Sequence, residues 1–232
     1  MSDHFDLTLP GARVTFSTRR GGVSEGPFES LNLGLWTDDD PDRVMENRDR
    51  LRRHTESEHI ALGRQVHGVD LQEWTAGPGT GDPPEVDGHL TRERGLGLLV
   101  QVADCLPVAL ASSNQVAMLH CGWRGLAGGI VDRALERFAA DGEPVAAAIG
   151  PGIGPCHYEV GPEVLDAFAG LDGGADGRML VLKAVAAAKL RAGGVEHVHD
   201  VDRCTYCEPN TFFSHRRDDG VTGRQGGMVW RA

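Results

Sequence analysis

The segment "ADCLPVALASSNQVAMLHCGWRG", residues 103–125, places chemically active side chains at the ends of two apolar runs. Asp104 and Cys105 precede the first run, and His120 ends the second. Upstream, the motif "QVHG" at 65–68 contributes His67. Two imidazoles and one thiolate form a sound ligand set for zinc. Three protein ligands leave a fourth position open, which is typical of a catalytic site.

A second interpretation of these residues stays open, because their spacing matches no short zinc motif. In it, each histidine is a hydrogen-bonded and partly buried side chain, and Cys105 is a small core residue. Asp104 favours a site, because a buried carboxylate must be paired or neutralised. Strand alternation would send residues 104 and 105 to opposite faces, but Pro107 predicts a bulge or strand end where the alternation breaks.

Arg124 lies at the turn between a predicted strand and a predicted helix, where free N–H groups and the helix dipole favour an anion. We therefore expect 122–125 to hold a phosphate; the alternative is that Arg124 only pairs with Asp104. Arg19 is a second candidate for phosphate binding, because its Gly-Gly loop lets a ligand approach the backbone. Arg216 and Arg217 either join this site or are solvated loop residues.

The elements that must position these residues follow from hydrophobic periodicity and capping signals. Asp40 and Pro41 predict a helix that begins there and ends near residue 54. Further helices are predicted at 126–140, from 162 onward, and at 182–193. Strands are predicted from residue 12 to a loop near residue 19, and at 63–74, 85–91, 95–105, 116–120, 146–150 and 195–201. The C-terminal stretch 214–227 is predicted to be an arginine-rich loop.

The composition of the 232 residues indicates one α+β domain over 1–232, with 40% hydrophobic and 25% charged residues. The formal net charge of −11 disfavours nucleic acid and anionic membranes as partners. No apolar run approaches the ~20 residues of a membrane span, and the N-terminus lacks signal-peptide features. Five cysteines cannot all pair, so we expect thiols or metal ligands in a reducing cytoplasm.

Eight motifs together resemble the YfiH/laccase-domain family, whose members are also described as peptidoglycan editing factors or purine nucleoside phosphorylases. In chain order they are "STRRGGVS", "LNLG", "QVHG", "ADCLPV", "HCGWRG", "IGPGIGPCHYEVG", "CTYC" and "FFSHRRDDGVTGR". They are spread over nearly the whole chain. The chain departs from the family pattern at Cys121, His157 and His215, and the first two could supply an alternative thiolate or a fourth ligand to the metal.

The resemblance implies a four-layer α/β/β/α sandwich with mixed sheets and a zinc ion held by His67, Cys105 and His120. It also implies phosphorolysis of purine nucleosides (adenosine, inosine and methylthioadenosine) with some adenosine deamination. Older descriptions of the family imply a copper polyphenol oxidase. In the phosphorylase hypothesis Arg124 holds phosphate, and Asp104 passes a proton to or from the reacting group.

Three alternatives to a zinc phosphorylase remain. His₂Cys is also a copper ligand set, which leaves a laccase-like oxidase open. Cys105 could act as a nucleophile with His67 or His120 as its base, in a thiol hydrolase. The protein could also be a non-catalytic peptidoglycan-editing or regulatory factor. Separately, Cys204-x-x-Cys207, preceded by His197 and His199, indicates either a second metal site or ordinary thiols.

Overall fold

The computed structural model describes residues 4–79, 81–171 and 173–232. Its helices are α1 (Pro41–Thr55), α2 (Trp123–Gly128), α3 (Ile130–Ala139), α4 (Pro162–Asp166) and α5 (Leu182–Ala192). Its strands are β1 (His4–Leu9), β2 (Ala12–Ser17), β3 (His59–Ala61), β4 (Leu71–Trp74), β5 (Gly88–Thr91), β6 (Leu96–Val102), β7 (Leu106–Ala111), β8 (Val116–Cys121), β9 (Ala146–Ile149), β10 (Ala175–Asp176), β11 (Met179–Leu180), β12 (His197–Asp200) and β13 (Gln225–Trp230).

Two large mixed sheets form the centre of the molecule. The first has the strand order β1-β2-β13-β6-β3, and the second has the order β12-β9-β7-β8-β5-β4. The pairs β3–β6, β12–β9 and β4–β5 are parallel, and the other pairs in these sheets are antiparallel. Phe16 and Val100 of the first sheet belong to one buried cluster with Val116 and Met118 of the second. The two sheets therefore pack face to face.

Helices cover the outer face of each sheet. Leu51 of α1 packs with Leu99 and Met228 of the first sheet. On the outer face of the second sheet, helices α2 to α5 bury their apolar residues, among them Ile130 and Phe138 of α3. This arrangement is a four-layer α/β/β/α sandwich with mixed sheets, so the predicted fold class is confirmed.

Several predicted elements near the site are confirmed. The Asp40 side chain accepts a hydrogen bond from the backbone N–H of Asp42 and caps α1, with Pro41 in its first turn. The two apolar runs of 103–125 form strands β7 and β8, which pair as an antiparallel hairpin in the register Leu106↔Cys121 to Ala111↔Val116. Both strands are buried at every residue, and the hairpin lies at the centre of its sheet. Continuous apolar runs are typical of strands that are covered on both faces.

The single helix predicted at 126–140 is wrong, because the chain forms two helices there. Gly129 has a φ of +91° and ends α2, after which α3 begins at Ile130. Only glycine adopts this left-handed conformation without strain, and it interrupts the helical hydrogen bonds. The first helix also begins earlier than expected, at Trp123, so Arg124 lies within its first turn.

The strand predicted over 63–74 is also wrong, since only β4 at its end is a strand. His67 has a φ of +61°, a left-handed conformation that a strand cannot contain. The backbone N–H groups of Val66, His67 and Gly68 all donate to the carboxylate of Asp87. Residues 65–70 therefore wrap around a buried carboxylate instead of pairing with a neighbouring strand.

Three strands of the first sheet, β1, β3 and β13, were not predicted. The motif "QGG" made the start of β13 look like part of the C-terminal loop. Packing explains its glycines: a Cβ atom on Gly227 would lie 2.4 Å from Cβ of Pro107 in the facing sheet. One on Gly226 would lie 2.7 Å from Leu33. The tertiary contact, rather than a turn, requires glycine at these positions.

Candidate functional site

The structure brings His67, Cys105 and His120 together, and we call these residues the triad. His67 lies in the loop before β4, Cys105 immediately precedes β7, and His120 is the penultimate residue of β8. Their ligand atoms all lie within 4.8 Å of one another. The two imidazole rings meet edge to face, with their centroids 4.8 Å apart. This geometry suits a metal ion held by two nitrogens and one sulfur.

Gly122 makes the close approach of these residues feasible. A Cβ atom on this glycine would lie 3.0 Å from Sγ of Cys105 and 3.2 Å from Cδ2 of His67. Any side chain at this position would push against two of the three triad residues. The glycine at the start of α2 therefore serves the packing of the triad.

Asp87 is a functional residue that the sequence analysis missed. Its Oδ1 lies 2.7 Å from Nδ1 of His120 and accepts the backbone N–H of His67 at 2.9 Å. Its Oδ2 accepts the N–H groups of Val66 and Gly68 at 3.1 and 2.7 Å. One buried carboxylate thus shapes the loop that carries His67 and orients the ring of His120. The signal was an acidic residue between Val86 and Gly88, both of which become buried.

The charge state of the triad favours a thiolate at Cys105. Burial by itself raises the pKa of Cys105, but the positive charge of His120 and hydrogen bonds from His120 and His67 lower it to about 6. Burial lowers the pKa of His120, but the Cys105 thiolate and the Asp87 carboxylate outweigh it and raise the value to about 9. The thiolate is the form of cysteine that binds metal ions.

Asp104 lies at the wall of the same site, in a left-handed conformation with a φ of +87°. The break in strand alternation that Pro107 predicted is therefore present. The Asp104 carboxylate accepts the hydroxyl of Thr205 at 2.6 Å and the backbone N–H of Arg216 at 2.7 Å. These partners do not include Arg124, with which Asp104 would pair in the alternative interpretation of that arginine. Asp104 instead ties the C-terminal loop to the site.

Three arginines, Arg124, Arg216 and Arg224, line the cleft in front of the triad. The guanidinium of Arg124 stacks on the ring of Trp123 at 4.5 Å. That of Arg216 donates to the carbonyl oxygen of Glu159 at 3.0 Å. Among the residues that the structure describes, none of the three arginines forms an ion pair with a carboxylate. Three guanidinium groups without a directly paired carboxylate therefore face one cleft of an acidic protein.

Arg19 does not join this group. Its Nε donates to the carbonyl oxygen of Glu29 at 2.7 Å, and Nη1 donates to that of Pro209 at 2.9 Å. The guanidinium also stacks on the ring of Phe213 at 4.7 Å. These contacts hold two loops together, so Arg19 is absent from the residues that line the cleft. The Gly-Gly loop that follows Arg19 and Arg20 predicted a phosphate contact, but tertiary contacts direct the Arg19 side chain elsewhere.

The cleft has a volume of about 530 Å³, within the range of about 300–1,000 Å³ found for small-molecule sites. Trp36, Trp123 and Tyr158 contribute aromatic surface to its walls. Trp36 is 49% exposed, and no sequence pattern singled it out. Aromatic faces beside cationic groups can receive a flat ring and an anion in one site.

His89 is a buried histidine that belongs to the scaffold of the site. Its Nδ1 accepts a hydrogen bond from the indole N–H of Trp74 at 3.2 Å. Burial lowers the pKa of His89 to about 4, against the weaker opposing effect of Asp87. The ring is therefore neutral at physiological pH.

The remaining cysteines divide between the core and a second cluster. Cys121 is fully buried in the core beneath the helices, and burial raises the pKa of its thiol. Cys204 and Cys207 lie beside Cys156 and His157, with ligand atoms within 4.8 Å of one another. His157 thus belongs to this cluster and not to the triad, where it was a candidate fourth ligand. The histidines that precede the Cys-x-x-Cys pair in the sequence, 197 and 199, lie on β12. His215 lines the main cleft.

Among the described residues, none of the helices could span a membrane.

Known proteins match this chain over nearly its full length. A family model described as multi-copper polyphenol oxidoreductase laccase matches residues 13–232. The purine nucleoside phosphorylase YfiH of Shigella flexneri is 39% identical over 232 residues, covering 95% of this chain and 94% of the relative.

Solved structures show the same relationship. The crystal structure of YlmD from Geobacillus stearothermophilus superposes with a TM-score of 0.88 at 37% identity, covering 95% of this chain and 92% of that chain. A protein from Neisseria meningitidis also gives a TM-score of 0.88, at 33% identity and 99% coverage of both chains. YlmD of Geobacillus stearothermophilus is itself described as a purine nucleoside phosphorylase.

Proposed function

The chain belongs to the multi-copper polyphenol oxidoreductase laccase family, and we propose that it is a zinc-dependent purine nucleoside phosphorylase formed by one domain over residues 1–232. Relatives whose alignments cover 90% or more of both this chain and their own are described as purine nucleoside phosphorylases. The observation that carries the proposal is the juxtaposition of the triad with three cleft arginines that have no carboxylate partner in the described structure. Adenosine, inosine and methylthioadenosine are the proposed substrates.

His67, Cys105 and His120 fit a zinc ion, because they supply two nitrogens and a favoured thiolate within one small volume. When bound there, zinc supplies Lewis-acid polarisation of a substrate atom. Three protein ligands also fit copper, which the family description names. Within the described residues, however, the ligand clusters contain at most two histidines. A multi-copper centre for oxygen reduction needs more, so zinc is the proposed metal.

The cleft residues supply the rest of the reaction. Arg124 and Arg216 bind the inorganic phosphate by charge-assisted hydrogen bonds. The purine ring stacks on the aromatic wall, to which the partly buried Tyr158 belongs. A phosphate oxygen then attacks C1′ of the ribose, and the bond between C1′ and the purine nitrogen breaks. Asp104, at the wall of the cleft, takes the proton that the phosphate loses and passes it to the departing purine nitrogen.

The test of this proposal is an assay of metal-verified protein on a nucleoside panel, with and without phosphate, with products identified by mass. We expect free purine and ribose 1-phosphate (5-methylthioribose 1-phosphate from methylthioadenosine), formed only when phosphate is present. Free base and ribose accumulating equally fast without phosphate would identify a hydrolase and overturn the proposal. Inosine formed from adenosine would identify the additional deaminase activity. Oxidation of a polyphenol by copper-loaded protein, without nucleoside turnover, would favour the oxidase alternative.

A second measurement tests the metal separately from the reaction. Cys105→Ser replaces the thiolate by a hydroxyl, which is a far poorer zinc ligand. We expect this variant to lose the zinc of the triad and its phosphorylase activity while keeping its fold. Full zinc retention at the triad would show that these residues are not the ligands. A zinc-free wild type with full turnover would leave a phosphorylase that needs no metal.

A further inference from the structure

A second group of metal-binding side chains lies outside the triad, and we call it the Cys156 cluster. It consists of Cys156, His157, Cys204 and Cys207, whose ligand atoms lie within 4.8 Å of one another. Sγ of Cys156 is 3.7 Å from Sγ of Cys204 and 3.3 Å from Sγ of Cys207. Sγ of Cys207 is 3.4 Å from Nδ1 of His157. All three cysteines are free thiols.

These separations match four ligands at the corners of a tetrahedron. With Zn–S distances of about 2.3 Å and a Zn–N distance of about 2.0 Å, tetrahedral geometry puts two sulfurs about 3.8 Å apart and a sulfur about 3.5 Å from a nitrogen. The distances in the Cys156 cluster come close to these values. Cys₃His is also a recurrent ligand set of closed, structural zinc sites.

The backbone around the cluster is built to hold a negatively charged sulfur. Two loops, one after β9 and one after β12, meet at a bridge between Gly152 and Cys204. Sγ of Cys204 accepts the backbone N–H of Gly154 at 3.2 Å and a second backbone hydrogen bond from Cys207. A Cβ atom on Gly154 would lie 3.3 Å from the sulfurs of both Cys156 and Cys204. Glycine lets the loop approach the two sulfurs closely.

His157, the one residue of the cluster that is not a cysteine, is also held in place. The ring of His157 stacks on that of Tyr206, with centroids 3.9 Å apart and an angle of 14° between the planes. This stack comes from the loop that carries the Cys-x-x-Cys pair. Orientation of a histidine ligand by its neighbours is typical of metal sites.

We propose that Cys156, His157, Cys204 and Cys207 bind a zinc ion with four protein ligands. Because all four positions around the metal are filled by protein, this second site is structural. The zinc joins two loops that form part of the cleft wall. One loop carries Ile153 and Tyr158, which line the cleft, and the other carries Thr205, which donates to Asp104. The proposal does not depend on the reaction catalysed at the triad.

The first test counts zinc ions by native mass spectrometry after zinc saturation and removal of the excess. We expect two zinc ions on the wild-type protein and one on each of the variants Cys204→Ser and Cys207→Ser. Cys105→Ser should also keep one, now at the Cys156 cluster, so the two sites are counted separately. Cys121→Ala is the matched control, because this buried cysteine lies outside both clusters and should leave two ions bound.

The second test needs no variant and so does not depend on variants that fold. Cys156 and Cys207 are exposed to solvent, so burial does not protect them from alkylation. We expect N-ethylmaleimide to leave both unmodified in the zinc-loaded protein and to modify both after a chelator is added, as read by peptide mapping. Immediate alkylation of both in the presence of zinc would overturn the proposal. So would a single zinc ion on the saturated wild type, or a disulfide between two of these cysteines in the purified protein.

Discussion

The substitution Asp87→Asn tests whether one carboxylate sets the geometry of the triad. Asp87 accepts hydrogen bonds from the backbone N–H groups of Val66, His67 and Gly68 and pairs with Nδ1 of His120. Asparagine has nearly the same shape but replaces one acceptor oxygen by an amide NH₂ group. Whichever way the amide turns, at least one backbone N–H group of the His67 loop then faces a donor.

The size of the effect follows from these contacts. Each buried donor left without an acceptor costs about 1–3 kcal/mol of stability. Native domains have about 5–15 kcal/mol in total, so the variant should fold with a reduced free energy of unfolding. If the amide NH₂ faces His120, the ring takes the tautomer with its proton on Nε2. That nitrogen then has no lone pair for a metal, and loss of such a hydrogen-bond partner typically weakens metal affinity by about 10- to 100-fold.

The assay is a competition titration of zinc against a chromophoric chelator. It is made in a protein that also carries Cys204→Ser, so that one ligand of the Cys156 cluster is missing and the triad dominates the titration. We expect Asp87→Asn to weaken zinc binding by about 10- to 100-fold. The matched control is Asp70→Asn, because the side chain of Asp70 is 76% exposed and pairs only with the surface residue Arg133 among its described partners.

Two results would refute this reasoning. One is zinc affinity in Asp87→Asn within about twofold of the control, against the range expected for an orienting partner. The other is an unchanged tautomer of His120, as read from its ring nitrogen chemical shifts in NMR, together with weakened binding. The second result would place the defect in the His67 loop or in general stability instead of in the orientation of His120.

Three further predictions address catalysis, phosphate and pH. Asp104→Asn should keep zinc at the triad while turnover falls at least ~10²-fold, the usual effect of losing a positioned acid or base; near-normal turnover would leave Asp104 as a tie for the C-terminal loop. Arg124→Ala should raise the KM for phosphate more than that for the nucleoside, because it removes a charge-assisted contact worth about 1.5–3 kcal/mol; steady-state kinetics with each substrate varied in turn separates the two. Because the pKa of His89 is lowered to about 4 from an ordinary value of 6.5, the unfolded chain binds more protons between these values, so stability falls as the pH is lowered through this window. At about 1.4 kcal/mol per pKa unit the loss reaches roughly 3 kcal/mol near pH 4, and urea unfolding of metal-stripped protein should show a weaker pH dependence in His89→Gln.

The sequence alone was enough to predict much of the fold and to single out the three side chains of the triad, which the structure brings together. Local signals sufficed where the deciding interaction is local: Asp40 and Pro41 begin α1, and the two apolar runs around 113 form the β7–β8 hairpin. The residue types also indicated a chemical role from the sequence alone, because few structural roles require a cysteine such as Cys105 next to an aspartate. The motifs in their order along the chain then pointed to the family and its layered architecture.

Only the tertiary structure decided which side chains meet. Asp87 shapes the His67 loop from a distant strand, so no periodicity within 63–74 could distinguish that loop from a strand. Arg19 donates a hydrogen bond to a carbonyl group far along the chain, whereas Arg216 and Arg224 line the cleft. The Cys-x-x-Cys pair found its neighbours in a loop about fifty residues earlier. The physical reason is common to all of these: hydrogen bonds and ligand sets between residues remote in sequence leave no regular spacing, and packing of the two sheets brings them together.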